Sequence, residues 1–335
     1  MYDLNNIIVT IVTYGKKERF TYLSKVIKEL DSSDCIAGII LVNNGTEYDL
    51  ESKITDLDFS KKIWHIDLKT NQGSAGGFKA GIEKFISLDY NYKTLLILDD
   101  DNLYHTSTFK LLSQLEQKYT LDFPHVWGIY RPAKQSDLFE GSNDKSFSYL
   151  ENRVGGFSIK AKLFPKTVNV KKKYTDISYH YMTPWGGTII SRDIIEKVGL
   201  PDEKFYLYDD DLDYSIRLQK NGVKILIPKE GTLTDLEGSW NENSKHRVQA
   251  YFEENSPKFR YLYSLRNNIY SIKKNNLNTN ILFYVNIFIF LTITFLLYMP
   301  KNKNGFNDFK RLKTAIESGL SGDMGYNESY FKNEG

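Results

Sequence analysis

At 335 residues the chain is long enough for one large domain, or for a domain with an appendage. With 44 basic against 42 acidic residues the net charge is +2, which leaves no global electrostatic case for nucleic acid as a partner. The lone Cys35 excludes an intramolecular disulfide and fits a reducing compartment.

Met1 to Asn6 carries no basic stretch leading into an apolar core, so no secretory leader is expected. Ile7 to Val12 is a run of β-branched residues and predicts a buried strand. Phe20 to Leu30 is amphipathic at helical spacing. Ile36 to Val42 and Ile63 to Leu68 predict two more strands, Ser74 to Leu88 a helix, and Thr94 to Leu98 a fourth strand. Strand and helix alternating in this way predict an α/β fold with a mixed, mostly parallel sheet covered on both faces. In such sheets ligands sit at the carboxyl ends of the strands. Those ends carry Thr13 and Tyr14, then Asn43 and Asn44, then Asn71, then Asp99 to Asp101. The stretch Asn71 to Phe78 (NQGSAGGF) opens a helix with glycines, Gly76 among them. Such a loop lets backbone approach an anion or serves only as a tight turn, and its spacing is not that of a dinucleotide fingerprint.

Two acidic clusters stand out. Asp99-Asp100-Asp101 ends an apolar strand; Asp209-Asp210-Asp211 with Asp213 opens a helix-like stretch that runs to Arg217 and Leu218. Adjacent carboxylates repel, so a fold keeps them together where a cation, a proton or a donor offsets the cost. One cluster can hold a divalent metal against a diphosphate while the other supplies a general base. Charge favoured at a helix N-terminus is the competing account of Asp209 and Asp210. Pro184-Trp185-Gly186-Gly187 offers an indole that stacks on a sugar face or fills a core. His180 and His246 stand alone and read as surface or packing residues.

Ile281 to Met299 is uncharged over 19 residues, close to the ~20 that cross a bilayer as a helix. Lys273 and Lys274 precede it and Lys301, Lys303, Lys310, Arg311 and Lys313 follow it, which leaves a span, a re-entrant helix and an in-plane helix all open beside a buried core helix or strand pair. Beyond Pro300, Phe306, Phe309, Leu312, Ile316 and Leu320 recur at helical spacing.

Taken together, IVTYGKKERF, VNNGT, NQGSAGGFKAGI and LILDDDN, in this order, resemble the donor half of family 2 inverting glycosyltransferases of the GT-A fold. MTPWGGTIISRDIIEKVGLPDEKFYLYDDDLDYSIRLQKNG resembles the acceptor segment of the bacterial galactofuranosyl- and rhamnosyltransferase branch, and RYLYSLRNNIYSIKK with AIESGLSG resembles its tail. The resemblance implies a catalytic domain over 1–245, with a donor half at 1–105 and an acceptor half at 106–245, and a helical membrane-associating appendage over 246–335. It implies donor contacts from Thr13, Tyr14, Asn43, Asn44, Asn71, Gly76, Asp99 and Asp100, and acceptor contacts from Trp185, Gly186, Gly187, Asp210 and Trp240, with Glu237 nearby. Relatives usually carry Asp where this chain has Asn43, whose amide can still meet an imide edge. A Mg²⁺ or Mn²⁺ ion would be held by Asp99, Asp101 and Asp235, the last at a place where relatives often have His. Asp211, six residues before Arg217, would be the general base.

The implied reaction moves a sugar from a nucleotide diphosphate to a lipid-linked or cell-surface glycan at the cytoplasmic face of the membrane. UDP-galactofuranose is the first donor expected and dTDP-rhamnose the second. A catalytically silent membrane scaffold and a nucleotide-binding oxidoreductase are the rivals from other classes.

Overall fold

The computed structural model describes residues 2–105, 107–135, 147–164, 174–237, 247–254 and 256–331. The chain divides into two compact units: one comprises 1–146, 169–202 and 214–237, the other 147–168, 203–213 and 238–335. The second unit thus includes 147–168, 203–213 and 238–245, which the expected boundary after residue 245 placed in the catalytic domain.

The first unit is built on an eight-stranded sheet. Its strands are β1 (Ile7–Gly15), β2 (Ile36–Thr46), β3 (Lys62–Asp67), β4 (Thr94–Asp99), β6 (His125–Gly128), β7 (Ile177–Tyr179), β8 (Thr188–Ser191) and β9 (Lys224–Pro228). They lie in the order β3-β2-β1-β4-β8-β6-β9-β7. Strands β1 to β4 are mutually parallel, whereas β8 runs antiparallel to β4 and β6, and β7 antiparallel to β9. A separate two-stranded antiparallel ladder joins β5 (Asn102–Tyr104) to β10 (Leu233–Asp235).

Alternate residues of the central strands feed two cores. Ile7, Val9, Ile11, Ile39, Leu41, Leu96 and Leu98 pack on one face, and Ile8, Val12, Ile40, Val42, Leu95 and Ile97 on the other. Burial on both faces explains why these strands read as unbroken apolar runs. The helix Gly73–Ser87 lies close against this sheet, because a Cβ at Gly77 would come within 2.6 Å of Val12 and one at Gly81 within 2.1 Å of the Thr10 hydroxyl. The strand order reverses at the β1/β4 pair, so the carboxyl ends of those strands form the switch point where such sheets bind ligands.

The second unit is mainly helical: Lys258–Lys274, Asn280–Ile293 continued by a π turn at Thr294–Tyr298, and Gly305–Ser321. The first and third of these pack on each other. The apolar helix is long enough to cross a bilayer, at 21 residues from Ile281 to Lys301. Its inward stripe (Phe283, Asn286, Ile287, Phe290, Thr294) is buried. Asn286 spends its amide there, donating to the Asn152 carbonyl at 2.7 Å and accepting from the Ile159 N–H at 3.0 Å.

Candidate active site

Asp99, Asp100 and Asp101 leave β4 at the switch point, and each takes a different environment. Asp100 is 1% exposed. It accepts from the Thr13 hydroxyl at 2.7 Å and from Arg19 Nε at 2.9 Å, with a second, short contact to Arg19 Nη2. Burial pushes the Asp100 carboxyl up, and the Arg19 guanidinium and Thr13 hydroxyl offset part of that. Arg19 also pairs with Glu237 and lies over the Tyr14 ring, 4.7 Å from its centroid. Tyr14 is 42% exposed.

Asp99 and Asp101 flank a second cluster. Asn102 accepts from the Asp99 N–H at 3.0 Å and donates to Asp235 at 2.9 Å. The β5/β10 ladder pairs Asp235 with Asn102, which is why a residue more than a hundred positions away arrives here. Arg131 donates to Asp235 at 2.8 Å and to Asn102 at 3.0 Å, and stands 3.5 Å from Asp99. The Asp101 carboxyl is pushed up to about 6, by burial first and then by the charges of Asp99 and Asp235, against the opposing pull of Arg19 and Arg131. Gly186 closes this cluster. A Cβ there would fall 2.0 Å from Asn102 Oδ1, 2.4 Å from Asp99 Oδ2 and 2.7 Å from Arg131 Nη2. Gly187, at φ +96°, donates its N–H to the Ile97 carbonyl and makes the turn into β8.

Several expected contacts are reassigned by this geometry. Thr13, Asn44 and Asp100 are buried, with their side-chain polar groups engaged inside the fold, so they brace the strand ends rather than present atoms to a donor. Asn44 ties β2 to the glycine loop, donating to the Gly73 carbonyl at 2.9 Å and accepting from the Gln72 N–H at 2.8 Å. Asn43 accepts from the Thr46 N–H and Asn71 from the Gly73 N–H, so both also shape turns. A Cβ on Gly76 would meet Gln72 at 2.7 Å. Trp185, expected to stack on a sugar, is 5% exposed and packs against Phe78 and Tyr214, so its faces are filled by the core. Trp240 and His246 lie outside the described residues.

A divalent cation suits part of this donor set. Asp99 and Asp101 offer hard oxygen ligands, and Mg²⁺-type sites commonly take one or two carboxylates and complete the shell with phosphates and water. Asp235, expected as a third ligand, is already paired with Arg131 and Asn102. No group of three or more such ligands converges among the described residues.

The second acidic cluster heads the helix Asp210–Lys220. Its first four residues belong to the second unit. Asp210 is 4% and Asp213 1% exposed, while Asp211 is half-buried and accepts from the Leu212 N–H at 2.8 Å. Asp209 accepts from Ser264 and Asp213 from Asn275. Farther along the helix, Arg217 donates to the Val198 and Leu200 carbonyls and so caps the helix Arg192–Val198.

Sequence reasoning missed Arg19, Arg131 and Asn102. Arg19 lies within a quoted motif, but no periodicity singles out one cation among Lys16, Lys17 and Arg19. Arg131 had no local signal, because its partners come from β4, β5 and β10.

No family model matches the chain. It is 24% identical over 96% of its length to "dTDP-rhamnosyl transferase RfbF" of Shigella flexneri, and the match covers 97% of that protein. It is similar in structure to GalNAc-T7, solved with UDP, GalNAc and Mn²⁺, with a TM-score of 0.51 and 14% identity. That likeness covers 81% of this chain and about half (48%) of GalNAc-T7. A fainter likeness to S. aureus TarS 1-349 has a TM-score of 0.47, 10% identity and 95% and 92% coverage of the two chains. With the sheet order and the acids at the end of β4, the likenesses to the transferase and to GalNAc-T7 identify the chain as a glycosyltransferase of the GT-A fold.

Proposed function

We propose that this glycosyltransferase belongs to family 2 and moves rhamnose from dTDP-rhamnose to a lipid-linked or cell-surface glycan, with inversion at the anomeric carbon. The near end-to-end match to a dTDP-rhamnosyl transferase carries the donor assignment and moves dTDP-rhamnose ahead of UDP-galactofuranose, which the sequence motifs alone had favoured. In this reading Asp99 and Asp101 would hold a Mg²⁺ or Mn²⁺ ion, which when bound would neutralise charge on the departing nucleoside diphosphate. Arg131 and Asn102 keep Asp235 and the Asp99 backbone in register, and Gly186 leaves the cluster its room. Tyr14 offers its exposed ring to the base. Asp211 takes the proton of the acceptor hydroxyl as that oxygen bonds to the anomeric carbon and the bond to the diphosphate breaks.

The acceptor assignment draws support from the apolar helix. Its outward face exposes Ile281 (84%), Phe288 (70%), Leu296 (61%) and Leu297 (55%), and exposed Lys301, Lys303 and Lys310 follow it. One buried, hydrogen-bonded face and one exposed apolar face suit a helix lying in the surface of an anionic cytoplasmic leaflet rather than crossing it. A polyprenyl-linked acceptor is held at that same surface.

The test is a panel of dTDP-rhamnose, UDP-galactofuranose, UDP-galactose and UDP-glucose, each with Mn²⁺, Mg²⁺ or EDTA. Metal-dependent release of dTDP from dTDP-rhamnose, lost in Asp101→Ala, is the expected result. Turnover of UDP-galactofuranose instead would restore the earlier donor. Silence toward every donor, also with membrane lipid acceptor added, would favour the scaffold.

A further inference from the structure

The helix Lys258–Lys274 carries a polar stripe: Ser264, Asn267, Ser271 and, just past its end, Asn275. The spacing of 3, 4 and 4 residues puts all four on one face. Such a face ordinarily meets water, yet Asn267 and Ser271 are fully buried and Asn275 is 5% exposed. The stripe meets the segment that leads into Asp210 and Asp211.

That segment has an unusual backbone. Tyr206, Tyr208 and Asp209 have φ of +61°, +67° and +57°, so three of four consecutive non-glycine residues are left-handed. Each such residue is disfavoured and persists only where its surroundings over-determine it. Here the stripe supplies much of the polar support, beside Arg266, which donates to the Phe205 carbonyl at 3.3 Å. Asn267 Nδ2 donates to the carbonyls of Phe205 (2.8 Å), Leu207 (2.9 Å) and Tyr208 (2.7 Å), while its Oδ1 accepts from Arg266 Nε at 2.9 Å. Ser264 donates to the Asp209 carboxylate at 2.9 Å and Asn275 to Asp213 at 2.8 Å. The turn is therefore held through its carbonyls at Phe205–Tyr208 and through the carboxylates on both sides of Asp210 and Asp211.

We propose that Asn267 is a positioning residue for the general base: its amide fixes the left-handed turn at Tyr206–Asp209 and thereby sets where Asp211 stands. The proposal rests on the assignment of Asp211 given above. An amide is the side chain suited to this place. Its two N–H groups are shared among three converging carbonyls, whereas a carboxylate of the same shape brings only acceptors to acceptors. The turn would then relax toward right-handed backbone and carry Asp211 with it. A shift of that kind costs catalysis far more than donor binding, because a misplacement of about 1 Å at the reacting group is worth on the order of 100-fold in rate.

The experiment compares wild type, Asn267→Asp, Ser264→Ala and Asp211→Asn in full-length protein, with dTDP-rhamnose and the acceptor that supports turnover. It reads kcat, donor KM, the acid limb of the kcat–pH profile and thermal unfolding. The expected result is a kcat lower by about 10- to 100-fold in Asn267→Asp, a donor KM within about twofold of wild type, and a displaced acid limb. Ser264→Ala, a milder change at a part-buried position, loses about 3- to 10-fold in kcat and serves should Asn267→Asp not fold. A rate kept in both while Asp211→Asn is inactive overturns the positioning role alone. So does a parallel loss of kcat, donor affinity and folded fraction with the acid limb unmoved, which marks a purely structural role. An Asp211→Asn enzyme that keeps its rate overturns the base assignment and this proposal with it.

Discussion

Removing the Asp101 charge should make the metal-free protein more stable while abolishing its metal response. The folded-state pKa of Asp101 is raised to about 6 from 3.8, chiefly by burial and then by the Asp99 and Asp235 charges. A raised folded pKa means that folding takes up a proton between those two values. The favourable contribution is complete below about pH 4 and is lost as pH rises through about 6. At pH 7.5 wild type therefore carries a penalty whose ceiling, at 1.36 kcal/mol per pH unit, is about 3 kcal/mol. Partial access of water to this carboxylate brings the expected figure to about 1–2 kcal/mol. Asp101→Asn keeps the shape and removes the charge. Urea unfolding in EDTA at pH 4.5, 6 and 7.5 should show the variant gaining on wild type as the pH rises. Mn²⁺ added at pH 7.5 should stabilise wild type and leave the variant unmoved. A variant no more stable than wild type at pH 7.5 would refute the reasoning, because it would mean that burial and the neighbouring carboxylates do not burden the Asp101 charge.

Other outcomes follow from the same contacts. Arg19→Gln leaves the Asp100 carboxylate, 1% exposed, without its cation and should cost about 3–5 kcal/mol in urea unfolding. The double variant with Asp100→Asn should recover much of that loss. Gly186→Ala forces a methyl into the space of Asn102 and Asp99, so calorimetric titration should find donor binding weakened at least about tenfold, with the melting temperature lowered by only a few degrees. Phe288→Ser with Leu296→Ser removes apolar surface that is already exposed, so stability should change by less than about 0.5 kcal/mol while flotation with anionic vesicles falls. Flotation equal to wild type, or equal binding to neutral vesicles, would contradict the in-plane placement.

The central sheet was legible because its chemistry is local. Both faces of β1, β2 and β4 are covered, so every position wanted an apolar residue and the runs from Ile7, Ile36 and Thr94 stood out without a partner in view. The ends of those strands were legible for the same reason, since Asp99 follows directly on Leu98. What the strand-end residues do was not legible. A buried threonine and an exposed one read alike, and only the fold shows Thr13 donating to Asp100. Trp185 could equally have been a rim or a core residue, and the deciding neighbours, Phe78 and Tyr214, are remote in sequence. Arg131 and Asp235 meet through a ladder that pairs segments far apart in the chain. By contrast, the stripe Ser264, Asn267, Ser271 and Asn275 was visible at helical spacing, but a polar stripe on a helix ordinarily means solvent, and its burial reverses the meaning.

The most direct test of the account is the anomeric configuration of the transferred sugar, followed by NMR in a single reaction of dTDP-rhamnose with wild type and with Asp211→Asn. The account predicts a product opposite in configuration to the donor, formed by wild type and slowed about 10²- to 10⁴-fold in the variant. Retained configuration, or an undiminished rate in Asp211→Asn, would contradict it.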